Sequence, residues 1–192
     1  MIRVSVPAVL PLNVPNSLTV LRILLVPVFV GFLVYGQYNA ALITLLIAAV
    51  TDGLDGTIAR MANQRTLIGA YLDPLADKLL LMSAFLSLAI LHLIPVWAVI
   101  LVVSRDAILL AGTLVAHVTD SPVDVSPTVL GKATTFTQIV YVVMVLLRAA
   151  NYIEVAVLPP LLMAMASLTA LSGLHYLYRG IVQLNGHAED RR

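Results

Sequence analysis

No cysteine occurs among the 192 residues. That excludes a disulfide framework, a thiolate metal site and a thiol nucleophile within this chain. Charge is scarce as well. Asp, Glu, Lys and Arg supply 11% of the residues, against about 25% in soluble domains. The net charge of +1 gives no basis for a nucleic-acid-binding surface. What remains is apolar: 60% of the chain is hydrophobic and the mean hydropathy is +1.00. A chain of this composition belongs in a bilayer.

A helix needs about 20 apolar residues to cross the hydrocarbon core. Six apolar segments of that order are present, at 17–35, 40–60, 67–92, 94–117, 131–149 and 155–178. The breaks between them hold polar and turn-prone residues. The expectation is an all-α, integral membrane bundle of six transmembrane helices, forming one domain over 1–192 with no room for a soluble one. Pro7, Pro11 and Pro15 interrupt the opening residues, and no small-residue cleavage site follows them. Residues 1–16 therefore read as a short juxtamembrane segment lying at the interface rather than a secretory signal. Residues 179–192 read as a polar cytoplasmic tail.

Basic residues set the expected orientation. With the N-terminus cytoplasmic, Arg3, Arg22, Arg60, Arg65, Lys78, Lys132, Arg179, Arg191 and Arg192 lie on or near that side, and Arg105 approaches it. Only Arg148 falls at the opposite face. No Arg/Ser-rich presequence precedes the first segment, which favours a bacterial inner membrane.

Four aspartates interrupt this apolar background. Asp52 and Asp55 are three apart near the end of the second segment, and Asp73 and Asp77 are four apart near the start of the third. On helices each pair shares a face. Consecutive helices joined by the short turn near "MANQRT" run antiparallel, so the four carboxylates can converge. An Asp near the bilayer centre costs roughly 2.5–3.5 kcal/mol, and less near an interface. Four together repel, and some would take up protons. Two divalent cations, Mg²⁺ or Mn²⁺ among them, balance that charge and suit hard oxygen ligands. Gly53, Gly56, Ala59 and Gly69 are small and permit close approach of a ligand or helix. Arg60 is placed to hold a phosphate oxygen. Such a patch fits a metal–diphosphate pocket. An EF-hand loop would need ligands at alternate positions, which "DGLDGTIARMAN" lacks. A set of polar residues binding helices together is the bland alternative.

The spacing D-x-x-D-G-x-x-A-R-x8-G-x-x-x-D-x-x-x-D resembles the signature of the CDP-alcohol phosphotransferases. Its eight fixed positions are Asp52, Asp55, Gly56, Ala59, Arg60, Gly69, Asp73 and Asp77. The resemblance implies that Asp52, Asp55, Asp73 and Asp77 hold two divalent metal ions. It implies that Asp52, Gly56, Ala59, Arg60 and Gly69 seat the CDP moiety of CDP-diacylglycerol. It also implies that Asp77 takes the proton from the acceptor hydroxyl, which attacks the lipid-side phosphorus as CMP leaves. Members of the family are commonly homodimers.

Other residues bear on the acceptor. "PNSLTVLR", at 15–22, is similar to the first-helix motif of the glycerophospholipid branch, which would face Thr19 and Arg22 to the pocket. Alternatively Asn16 or Ser17 caps the helix and Arg22 snorkels. "VSRDAILLAG" places Arg105 and Asp106 inside an apolar helix, a functional hypothesis by default; an internal Arg–Asp pair that locks helices is the alternative. Lys132 opens the fifth segment, where it joins Arg105 in holding an acceptor phosphate or contacts lipid headgroups. "SRD" followed by P-x-x-x-G-K-x-x-T-x-x-Q resembles the cardiolipin synthases of the family, whose acceptor is phosphatidylglycerol. Phosphatidylglycerophosphate synthases typically show "GRE" and a second lysine where Thr134 stands here, so glycerol 3-phosphate is the second candidate.

The histidines form no ligand pattern. His175, with Tyr176 and Tyr178, reads as an interfacial anchor. A cation- or proton-coupled transporter is the rival from another function class, since intramembrane carboxylates also mark ion pathways. Its site would sit near the midplane between broken helices, whereas these aspartates group with Arg60 at one membrane face.

Overall fold

A computed structural model describes the backbone over residues 14–61, 67–118 and 128–190, and within these the side chains of residues 17–51, 76, 78–112, 128–180 and 182. Six α-helices occupy the described residues, with no strand among them: α1 Val14–Val34, α2 Tyr38–Met61, α3 Leu67–Ile90, α4 Val96–Val118, α5 Val129–Ala149 and α6 Leu158–Asp190. A 3₁₀ turn, Val155–Val157, leads into α6. The spans Ser17–Val34, Val129–Ala149 and Val155–Gly180 are long and apolar enough to cross a membrane, and Tyr38–Thr51 and Lys78–Ile90 are shorter apolar stretches among the described residues. Residues 1–13, most of the expected interfacial segment, lie outside the described residues.

The helix ends follow from local chemistry. Pro15 falls in the first turn of α1, where its missing N–H would have had no helical partner. At the other end, Gln37 N–H donates to the Phe32 carbonyl (2.8 Å) and Gly36 N–H to that of Leu33 (3.0 Å). This is a Schellman closure, and it requires the positive φ of 69° that Gly36 adopts. His92 (φ 56°) and Asn151 (φ 63°) close α3 and α5 with the same two-bond pattern. Asn tolerates that conformation well; at His92 it carries a strain that glycine would not.

Contacts divide the chain within α3, into Met1–Ser83 and Ala84–Arg192. In the first unit α1 packs along α2. Phe29 and Leu33 of α1 are fully buried, as are Ala41 and Ala48 of α2, with Leu42 and Leu45 between them. The buried stripe of α1 continues toward its N-terminus through Arg22 and Thr19 at spacings of seven and three, so one helix face changes from apolar to polar along its length.

In the second unit α6 packs along both α4 and α5. Val102, Ala98 and Val99 of α4, Val142, Val145 and Leu146 of α5 and Met165 of α6 form its apolar core. The rings of Phe85 and Tyr141 stack at 6.4 Å. A polar stripe runs beside this core. Thr134 donates to the carbonyl of Leu130 (2.8 Å) and, across to α6, to that of Leu168 (3.1 Å). Gln138 Nε2 donates to Thr169 Oγ1 (3.2 Å), and Thr169 donates in turn to the Met165 carbonyl (2.7 Å). Because the single Thr169 proton is committed, Gln138 must present its nitrogen, which leaves its buried Oε1 without a hydrogen-bond partner among the described residues. Bonds of this kind between membrane helices are weak one by one. Thr134→Val is expected to lower the unfolding free energy by about 0.6 kcal/mol, and by no more than about 1.7 kcal/mol, read from denaturant titration in mixed micelles.

The outer surface is inverted relative to a soluble protein. Leu24, Ile90, Leu110, Phe136 and Leu174 are each exposed by 60–69%, while Thr19, Arg22, Arg105, Asp106, Gln138 and Ser172 are buried. Polar groups inside and long apolar side chains outside suit lipid rather than water as the surrounding solvent.

Candidate active site

The two halves of the aspartate motif fall on consecutive helices. Asp52, Asp55, Gly56, Ala59 and Arg60 occupy the last turns of α2, and Gly69, Asp73 and Asp77 the first turns of α3. Asp55 stands six residues before Met61, and Asp73 six residues after Leu67. The helix continues through both aspartate pairs, so the spacings of three and four become one-face spacings in each helix. The side chains of these eight motif residues lie outside the described residues, as does the connection over 62–66. Among the described residues no three His, Asp or Glu side chains gather in a metal-binding group.

Thr19 and Arg22 are fully described. Both are buried, at 0% and 1% exposure. Arg22 therefore does not snorkel into water, and Asn16 and Ser17 lie inside α1 rather than capping it. Asn16 and Ser17 as caps, together with Arg22 as a snorkelling cation, is thus the reading of this stretch that the structure rejects.

Arg105 lies at the centre of a cluster built by α4, α5 and α6. Its Nη1 donates to Asp106 Oδ1 at 2.7 Å, with both side chains nearly buried. Its Nε and Nη2 reach Ser172 Oγ of α6 at 3.4 and 3.5 Å, and Nη2 reaches the Gly131 carbonyl of α5 at 3.4 Å. The Arg–Asp pair thus forms within one helix, and its guanidinium ties that helix to the two others. A buried carboxylate beside a guanidinium is a neutralised pair; the desolvation cost that each would carry alone is offset by the other. Gly131 brings the next residue, Lys132, to the edge of the cluster, where Lys132 is exposed.

The start of α5 is fixed by its own sequence. Thr128 is the N-cap, in extended conformation, and its Oγ1 accepts from the Gly131 N–H at 3.0 Å. From α6, the Tyr176 hydroxyl oxygen accepts the Thr128 N–H at 3.1 Å and lies 3.2 Å from Thr128 Oγ1. A Cβ at position 131 would stand 2.9 Å from the Tyr176 oxygen and 3.3 Å from Arg105 Nη2. Only glycine fits there without displacing them. Sequence reasoning read Tyr176 as an interfacial anchor and gave no role to Thr128, Gly131 or Ser172. The local T-x-x-G-K pattern signals the cap; nothing local signals the tyrosine.

An all-α membrane protein with a polar seam between its helices is the class that these observations define. The family model described as "CDP-alcohol phosphatidyltransferase" matches residues 12–172, and the chain belongs to that family of phosphatidyl-transferring enzymes. It is 34% identical over 187 residues to the human "Cardiolipin synthase (CMP-forming)", covering 88% of this chain and 62% of that protein. It is 33% identical over 181 residues to a "Probable phosphatidylglycerophosphate synthase" of Mycobacterium tuberculosis, covering 91% and 84%. It is 37% identical over 151 residues to the "CDP-diacylglycerol--glycerol-3-phosphate 3-phosphatidyltransferase" of Bacillus subtilis, covering 71% and 77%. The chain spans less than two thirds of the length of the human and rat relatives. Relatives at nearly equal identity thus carry different activity names.

Proposed function

We propose that the protein transfers a phosphatidyl group from CDP-diacylglycerol to the hydroxyl of a phosphatidylglycerol acceptor, releasing CMP and forming cardiolipin. The observation that carries this reading is the complete eight-position motif on the ends of α2 and α3, in a chain whose family membership covers both helices. Run antiparallel, the two helices would level Asp55 with Asp73, since each stands six residues from the facing helix end. The donor set is all carboxylate oxygen, with no thiolate in the chain, and so fits a hard divalent cation such as Mg²⁺ or Mn²⁺. Asp52, Asp55, Asp73 and Asp77 would hold two such ions, which when bound spread the charge that develops on the leaving phosphate.

The remaining chemistry belongs to the chain. Arg60 places a fixed positive charge beside the diphosphate, and Gly56, Ala59 and Gly69 leave space for the nucleotide. The acceptor oxygen attacks the lipid-side phosphorus, its proton passes to the Asp77 carboxylate, and the bond to the CMP phosphate breaks. Thr19 and Arg22 on α1, and Arg105 and Lys132 at the α4–α5 cluster, bind the acceptor. A phosphodiester acceptor carries one negative charge, which fits the single lysine at the start of α5; Thr134 stands where a second cation would be, and it is fully buried and bonded to α6. Glycerol 3-phosphate is the second reading, favoured by the names of the mycobacterial and Bacillus relatives. The bias of basic residues supports a site at the cytoplasmic face of the membrane. The protein acts there as a homodimer.

Release of CMP decides the matter. Purified protein with CDP-diacylglycerol and Mg²⁺ or Mn²⁺ is expected to release CMP on addition of phosphatidylglycerol, with chelation abolishing it. Faster release with glycerol 3-phosphate would move the assignment to the second reading, and no release with either acceptor would refute the reaction itself.

A further inference from the structure

We infer that Tyr176 is a positioning residue for the acceptor side of the site, acting as a clamp on the first turn of α5; this rests on the function proposed above. Three observations converge on it. First, the Tyr176 oxygen is bonded to the cap residue itself, through the Thr128 N–H at 3.1 Å and the Thr128 hydroxyl at 3.2 Å. The first N–H groups of a helix have no partner within it, and here a side chain of another helix, 48 residues away, supplies one. Second, Gly131 is glycine at the place where a Cβ would come within 2.9 Å of that oxygen. The absent side chain is what lets the tyrosine seat against α5. Third, the same glycine's carbonyl faces Arg105 Nη2 at 3.4 Å, and its chain neighbour is Lys132.

The consequence is geometric. Arg105 comes from α4 and Lys132 from α5, and the two cations keep a fixed separation only if the first turn of α5 is held in place. Thr128 holds that turn from inside, and Tyr176 holds it from α6. Ser172, one turn before Tyr176 on α6, sits against Arg105, so α6 braces both cations at once. Because Arg105 and Lys132 are the cations assigned to the acceptor, the clamp is expected to bear on acceptor binding.

Steady-state kinetics on the full-length protein in detergent or vesicles separate these roles, with whichever of phosphatidylglycerol and glycerol 3-phosphate supports wild-type turnover. Tyr176→Phe is expected to raise the acceptor KM about fivefold, the scale of one hydrogen bond, with the KM for CDP-diacylglycerol unchanged within twofold. Gly131→Ala is expected to raise the acceptor KM as well. The double variant Gly131→Ala/Tyr176→Phe is expected to be impaired by less than the product of the two single effects, because removing the hydroxyl removes the close approach. An unshifted acceptor KM in Tyr176→Phe, or equal shifts for both substrates, overturns the clamp. If Tyr176→Phe does not accumulate in membranes, Thr128→Ser and Thr128→Val carry the test: a near-normal acceptor KM for serine and a fivefold rise for valine supports the clamp, and equal values overturn it. No CMP from the wild type with either acceptor refutes the proposed reaction, and with it the clamp; wild-type turnover with an unshifted variant refutes the clamp alone.

Discussion

Asp77→Asn is expected to lower kcat by about 10²–10⁴-fold, the range that a positioned general base contributes, while CDP binding persists. The substitution keeps the shape of the side chain and removes its capacity to accept a proton. Position 77 lies ten residues into α3, and its neighbour Ala76 is fully buried, so an isosteric amide leaves the helix intact. Asp52→Asn provides the contrast. Its expected role is ligation and nucleotide seating, so binding and turnover should fall together. CMP release measures the first quantity, and equilibrium dialysis with labelled CDP the second. Full activity in Asp77→Asn would remove this residue as the base. Loss of binding equal to the loss of turnover would reduce it to a ligand.

The second large effect is structural. Arg105→Met is expected to cost about 3–5 kcal/mol of stability, the usual result of removing one partner of a buried ion pair. The arginine side chain is 5% exposed, its carboxylate partner is 10% exposed, and they are 2.7 Å apart. Methionine fills much of the volume but leaves Asp106 without the guanidinium that neutralises it. Replacing both, as Arg105→Met/Asp106→Leu, is expected to recover most of that loss, since apolar side chains of similar volume often substitute for a buried pair at little cost. The double variant separates two roles for Arg105. Recovered stability with activity still lost places the guanidinium at the acceptor. Recovered stability with full activity leaves it a brace between helices. No destabilisation in the single variant would contradict the pair itself. Thermal unfolding in detergent, beside CMP release, reads all three cases.

The six apolar segments coincide with six helices, three of which are long and apolar enough to cross a membrane among the described residues. Hydropathy placed their ends less well. The segment at 67–92 runs past the end of α3, since nothing in the pattern shows that His92 takes a left-handed conformation. The segment at 131–149 begins late, because Thr128 is a polar residue whose role is to start a helix. The expected tail at 179–192 is helical through Asp190; a helix needs no apolar residues once it has left the bilayer. The aspartate motif is legible as a spacing along two consecutive helices, and the backbone is helical through both halves of it; its side chains lie outside the described residues. The Arg105 cluster was legible only in part. Two charges inside an apolar run stand out, but Ser172 and Tyr176 meet them from 67 and 48 residues away, and no local pattern carries that distance.

The length of α6 has a mechanical consequence. Its 33 residues make a rod of about 50 Å at 1.5 Å per residue, against a hydrocarbon layer of about 30 Å. Tyr176 grips this rod at an intermediate point, as a fulcrum does a lever. A small rocking of α6 against α5 is therefore magnified at Asp190, and a spectroscopic label at that tip would register motion too slight to detect at Tyr176 itself.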